Sequence, residues 1–154
     1  MSKIGFIGDV MSYLVRNHMR KEVPTITSNS TALQAATEMS NQNRGFIVVL
    51  KEGKPIGIIT EHDFMDKIIV GKKAPSKTTV ESIMSSPLIV VDPDLDLIEA
   101  SKVMVKHDIR RLIVVRDGII YGSITTRDIV RSLGDYLDAA TRDIIRWSAP
   151  SYSR

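Results

Sequence analysis

The apolar residues of this chain follow two alternating patterns. Continuous runs stand at 46–50 (Phe46-Ile47-Val48-Val49-Leu50) and at 111–115 (Arg111-Leu112-Ile113-Val114-Val115); such runs suit strands buried on both faces. Each leads into a turn, Lys51-Glu52-Gly53-Lys54 or Arg116-Asp117-Gly118, whose glycine supplies the positive φ of a tight hairpin. A second strand is predicted after each turn, over 55–60 and 119–125, ending at Thr60 or Thr125, where a helix starts. Upstream of each run the spacing is helical: Ala32, Leu33, Ala36 and Met39 in one segment, Leu97, Ile98, Ser101, Met104 and Val105 in the other. Both helix starts, Thr31 to Gln34 and Asp96 to Glu99, fit a capping box, in which the cap oxygen takes one orphan amide and the later side chain reaches back. Short β-rich stretches, Thr25-Ile26-Thr27 and Ile89-Val90-Val91, precede them.

The pattern is therefore written twice. A shift of 65 residues lays Val15, Met19, Ala35, Met39, Val49, Gly53, Gly57, Thr60 and Asp63 on Val80, Met84, Ala100, Met104, Val114, Gly118, Gly122, Thr125 and Asp128 without a gap. The fold class that follows is α/β, more narrowly α+β: two β-α-β-β-α repeats packed about a pseudo-twofold axis. A unit of roughly 60 residues closes only a marginal core of its own, so the copies are predicted to share one, with the four strands of 46–50, 55–60, 111–115 and 119–125 at its centre. The polar, breaker-rich stretch Gly71-Lys72-Lys73-Ala74-Pro75-Ser76-Lys77 reads as the linker. Outside the repeat lie an amphipathic N-terminal stretch (Val10, Leu14, Val15) and a C-terminal helical face of Leu133, Leu137, Ala140, Ile144 and Trp147. A face that long is predicted to pack against the N-terminal helix or a second chain.

Composition narrows the function more than it defines it. The chain has 154 residues, 43% hydrophobic and 25% charged, which is ordinary for a globular protein. No apolar run reaches membrane-spanning length, the start Met1-Ser2-Lys3-Ile4-Gly5-Phe6 lacks a secretory apolar core, and zero cysteines rule out disulfides and thiolate chemistry. A cytoplasmic location without membrane attachment is the expectation. His18, His62 and His107 have no metal-ligand spacing, and neither a glycine-rich phosphate loop nor a nucleophile elbow appears. The net charge of +3 favours anionic partners in general. A nucleic-acid-binding accessory role would rest on that charge, the lysine-rich linker and the basic tail from Arg142 to Arg154. Its acids are interspersed, however, and at 5% aromatics no stacking platform stands out.

The residues that point to chemistry are the two repeat ends, Gly57-Ile58-Ile59-Thr60-Glu61-His62-Asp63 and Gly122-Ser123-Ile124-Thr125-Thr126-Arg127-Asp128. Thr-x-x-Asp at a helix start is readable as an N-cap with an acidic residue favouring the helix dipole. For an isolated copy that is the favoured reading, but the motif is also readable as a site, since a free helix N-terminus attracts anions and a carboxylate can accept both hydroxyls of a ribose diol. The doubled Gly-x-x-Thr-x-x-Asp, the opening Met84-Ser85-Ser86-Pro87-Leu88-Ile89-Val90-Val91-Asp92-Pro93 and the segment His107-Asp108-Ile109-Arg110-Arg111-Leu112-Ile113-Val114-Val115 together resemble the cystathionine β-synthase (CBS) domain. The whole chain resembles a stand-alone tandem pair of such domains, a Bateman module, with domains at 10–71 and 78–134 and terminal extensions at 1–9 and 135–154, the latter helical.

The resemblance implies a non-catalytic regulatory module. Its ligand would be AMP, ADP or ATP, with S-adenosylmethionine a further adenosyl candidate, and no cofactor would be required. It also implies a homodimer and a regulated partner that the sequence does not identify; a ligand-free dimerisation module is the bland alternative. One site would comprise Thr60 and Asp63, with Pro87, Leu88, Ile89 and Ile113 against the base and Arg110, Arg111 and Arg127 at the phosphates. The other would comprise Thr125 and Asp128 with Val23, Pro24, Arg44 and His62. There the positions matching Arg110 and Arg111 hold Gly45 and Phe46, so the second site departs from the charge-rich pattern.

Overall fold

The computed structural model of the chain describes residues 13–148, less the side chains of 139, 140, 143 and 145–148. The extension 1–9, Val10 of the N-terminal stretch, the last tail residues and the side chains of Ala140 and Trp147 lie outside the described residues. The elements run α1 (Val15–His18), β1 (Thr25–Thr27), α2 (Ala32–Asn41), β2 (Phe46–Lys51), β3 (Lys54–Thr60) and α3 (Glu61–Asp63), which continues as a π-helical stretch (Phe64–Val70). The second half repeats this order with α4 (Val80–Ile83), β4 (Val90–Val91), α5 (Leu97–His107), β5 (Arg111–Arg116), β6 (Ile119–Thr125) and α6 (Thr126–Ser148).

Each half builds a three-stranded sheet, ordered β1-β2-β3 and β4-β5-β6, with a parallel pair followed by an antiparallel hairpin. The halves copy one another down to a register shift, at Val49/Leu50 and at Val114/Val115. Both hairpins turn through two positive-φ residues, Glu52-Gly53 and Asp117-Gly118, the backbone of a primed turn that matches strand twist. The central strands are buried as predicted, with Phe46, Ile47, Val48 and Val49 and then Leu112, Ile113 and Val114 shielded from solvent. Thr31 forms its capping box with Gln34. Asp96 does not form one with Glu99: Asp96 caps the amide of Ile98, while Glu99 turns outward to Lys102 at 2.6 Å. An available lysine one turn on competes successfully for the glutamate.

The four strands do meet in a shared centre, but it is the smallest of several apolar clusters and not the whole core. Three apolar clusters are present: one within each half, and a smaller one between them made of Phe46, Val48 and Ile113 with Val23, Leu50, Ile58, Leu88, Val115 and Ile120 around it. The halves are also tied together by exchanging their lead helices. Val15 of α1 is buried in the second half's cluster, and Val80 and Ile83 of α4 are buried in the first half's. The exchanged segments bridge to the foreign sheets at Arg20–Ser123 and Ser85–Ile58.

That crossing explains two of the repeated glycines. A Cβ on Gly57 would meet Met84 Sδ at 2.5 Å and the Ser85 carbonyl at 2.9 Å; one on Gly122 would meet the Arg20 carbonyl at 2.5 Å and Met19 Sδ at 2.9 Å. The glycine of Gly-x-x-Thr-x-x-Asp is thus required by close backbone approach. It sits where the other half's chain passes over the strand that ends in the site.

Candidate ligand-binding cleft

Thr60 is the N-cap of α3, and the Asp63 carboxylate reaches back to it. Asp63 Oδ2 accepts from the Thr60 amide at 2.8 Å and from its hydroxyl at 3.1 Å. The second half repeats this at 3.0 and 2.7 Å, and the Thr125 hydroxyl in turn accepts from the Asp128 amide at 3.2 Å. The capping role of Thr-x-x-Asp is therefore real in both halves. It fixes each carboxylate at the mouth of a helix and leaves Oδ1 as the oxygen available to other partners.

Those partners differ. Asp63 Oδ1 accepts from Lys67 Nζ at 2.8 Å and from the Ser85 hydroxyl at 3.4 Å, and Lys67 is anchored by a further bond to the Ile83 carbonyl at 2.6 Å. Asp128 Oδ1 instead accepts from Arg20 Nη2 at 3.4 Å. Burial would push the Asp128 carboxyl up, but the hydroxyl and amide of Thr125 and then the Arg20 guanidinium outweigh it, and the group is held below the usual carboxylate range.

A cleft of about 680 Å³ opens between the halves on the Thr60 side, within the range of small-molecule sites. Thr60, Glu61 and His62 line it from one helix start; Pro87, Leu88, Ile89 and Ile113 form an apolar flank beside the polar Ser85; Asp108, Ile109, Arg110 and Arg111 complete the lining. Seven of the nine residues expected of the first site, Thr60, Pro87, Leu88, Ile89, Arg110, Arg111 and Ile113, meet here. Asp63 is buried, 6% exposed, and is not itself part of the lining, but its Oδ1 contacts the lining residue Ser85. Arg127, expected at the phosphates, is exposed and also outside the lining. His62, expected with the second set, lies in the first cleft instead, because the helix start that carries Thr60 carries it to the same wall.

Arg111 is the most unusual side chain in the cleft. Its Cζ lies 4.1 Å from the centre of the Phe46 ring, across the pseudo-twofold axis, a cation–π contact between equivalent positions of the two halves. It is partly buried, and its Nε has no hydrogen-bond partner among the described residues. Burial lowers its pKa, a fall opposed by the charges of Glu61 and Asp128. Arg110 is exposed, and neither arginine forms an ion pair among the described residues. Guanidinium forks free of protein carboxylates match phosphate oxygens two at a time.

The second set is arranged differently. Pro24 is buried, Val23 packs against the central cluster, and Arg44 is paired with Glu22 at 3.4 Å. Sequence reasoning missed Glu61, Ser85, Arg20 and Glu22. The signal was available for two of them, since Arg20 and Ser85 are partners under the 65-residue shift. Among the described residues no group of three or more histidines and carboxylates could hold a metal, and no helix is long and apolar enough to cross a membrane.

Comparison with known proteins adds the following. A family model described as CBS domain matches residues 7–70 and 80–135. An uncharacterised protein of Methanopyrus kandleri is 39% identical over 114 residues, which are 73% of this chain and 58% of the relative. The chain spans 33% of a second relative, from Methanocaldococcus jannaschii, and 54% of a third, from Arabidopsis thaliana. Among solved structures, the CBS domain pair of protein MJ0100, in complex with 5′-methylthioadenosine and S-adenosyl-L-methionine, is similar with a TM-score of 0.71 at 30% identity, covering 80% of this chain and 97% of that one. A hexameric CBS-CP12 protein from bloom-forming cyanobacteria is similar with a TM-score of 0.71 at 25% identity, covering 91% of each chain.

Proposed function

We propose that this chain, which belongs to the CBS domain family, binds an adenine nucleotide in the cleft beside Thr60 and uses its occupancy as a non-catalytic sensor of energy or metabolite state. A CBS domain pair is a regulatory module, and the MJ0100 pair was solved with two adenosine compounds. The observation that carries the reading is the cleft itself: an apolar flank of Pro87, Leu88, Ile89 and Ile113 suits a base, and Arg110 and Arg111 stand at one end with neither held in an ion pair among the described residues. A bound phosphate would give the half-buried Arg111 the partner it lacks, and a charge is least costly in a partly buried position when it is paired. The ribose would take the place of the weak Ser85 contact on Asp63 Oδ1. The reading extends to a cytoplasmic protein acting as a homodimer on a separate partner.

Calorimetry with ATP, ADP, AMP and S-adenosylmethionine tests it. ADP or ATP should bind more tightly than adenosine. Hydrogen bonds to a charged group contribute about 1.5–3 kcal/mol, so Asp63→Ala should lower affinity at least about tenfold. Arg111→Ala should weaken ATP far more than adenosine, because only the phosphates face it. No heat from any adenine nucleotide would leave Thr60 and Asp63 as helix caps alone.

A further inference from the structure

The two halves share their sheet topology and both Thr-x-x-Asp clamps, yet the cross-half residue at Oδ1 of each aspartate is not the same. At Asp63 it is Ser85, a cleft-wall residue whose neutral hydroxyl sits at a long 3.4 Å. At Asp128 it is Arg20, the residue equivalent to Ser85 under the repeat, and its guanidinium sits at the same 3.4 Å. A serine hydroxyl leaves a carboxylate by one rotation about χ1, and Asp63 keeps the Lys67 ammonium, at 2.8 Å, as its counter-charge. Lys67 is outside the cleft lining, so it holds the charge balance without standing where a ligand enters. Asp128 has no such second cation at salt-bridge distance among the described residues: the position equivalent to Lys67 is Ser132, whose hydroxyl donates to the Asp128 carbonyl. A diol arriving at Asp128 must displace its one ion-pair partner and leave a buried carboxylate, 6% exposed, whose remaining hydrogen-bond donors are the neutral groups of Thr125, with the Arg111 charge acting only from beyond ion-pair distance. The neighbouring charges of the second side are also taken up internally, Arg44 by Glu22, whereas Arg110 and Arg111 of the first are not.

We propose that Arg20 closes the Asp128 clamp from within, so that the pair takes one adenosine ligand per chain, at the Asp63 cleft, and that the identity of this one residue sets the stoichiometry. This rests on the reading of the first cleft as an adenine-nucleotide site.

Calorimetric stoichiometry with ATP and AMP on three proteins decides it. The unaltered chain should bind one nucleotide per chain. Arg20→Ser, which copies the first half's residue into the second, should add a second binding event while leaving the first affinity within about twofold. Ser85→Arg, the reciprocal exchange, should abolish the first event or weaken it at least about tenfold, a loss of about 1.4 kcal/mol. The Arg20 side chain is 52% exposed and its strand bridge to Ser123 uses only backbone, so its replacement spares the core. Two equivalent sites in the unaltered chain, or a single site in Arg20→Ser, would overturn the inference while the nucleotide reading stands. Silence from the unaltered chain and Arg20→Ser alike would remove both.

Discussion

The Asp128 carboxyl is held below its ordinary value although burial works against it, since the Thr125 hydroxyl, the Thr125 amide and Arg20 all favour the charged form. A carboxylate with a depressed folded-state pKa stabilises the fold at pH values above its unfolded value, about 3.9. That stability is lost as pH falls through the lower folded value. Asp128→Asn should therefore lower Tm at neutral pH, and the gap to the unaltered protein should narrow between about pH 5 and pH 2 as the wild-type carboxyl takes its proton. A gap that stays constant down to the acid limit would show that the hydrogen bonds matter and the charge does not. The same residue shows where sequence reasoning reaches its end. Thr125 and Asp128 are legible as a clamp because they repeat Thr60 and Asp63. What stands opposite them is set by Arg20, 108 residues away in sequence, and no local pattern announces that contact.

At the scale of elements, strands, hairpins and helices were legible because each carries a local signal: unbroken apolar runs for β2 and β5, glycine turns, helical spacing and the Thr31 cap. Three features were not. The π-helical course of Phe64–Val70 leaves no mark in apolar spacing. The Asp96 cap depended on whether Glu99 preferred the helix start or Lys102. The exchange of α1 and α4 was hidden most deeply, because the repeat in sequence assigns Val15 to the first copy and Val80 to the second, while packing assigns them the other way round. A substitution in α4 therefore reports on the half that precedes it. Ile83 is fully buried in the first half's cluster, and Ile→Ala at such a position costs about 2–5 kcal/mol. Ile83→Ala should lower the urea midpoint accordingly, and amide protection should fall first in β2 and β3 of the first half. Loss confined to β4, β5 and β6 would contradict the exchanged arrangement.

At the scale of the whole molecule, α6 is covered at its start and exposed beyond it. Its start is anchored: Ile129 and Ser132 are buried, Leu133 packs on the second half's cluster, and Tyr136 meets Tyr13 edge-on with ring centres 4.8 Å apart. The N-terminal segment thus covers part of the helix, as the apolar face had predicted. Beyond it Leu137 and Ile144 stand 63% and 65% exposed. Together with Leu133, Ala140 and Trp147 they are spaced four and three residues apart by turns, the interval that brings two helices together along an a/d seam. Leu137 and Ile144, exposed apolar residues on one side of the helix, are the kind of surface that associates, and one of the similar structures is a hexamer. Light scattering at micromolar concentration should return at least twice the chain mass. Leu137→Asp combined with Ile144→Asp should reduce it to that of one chain without loss of helical circular dichroism, because both side chains point to solvent in the single chain. A monomeric mass for the unaltered protein would show that these residues are solvated, and that the module acts as one chain.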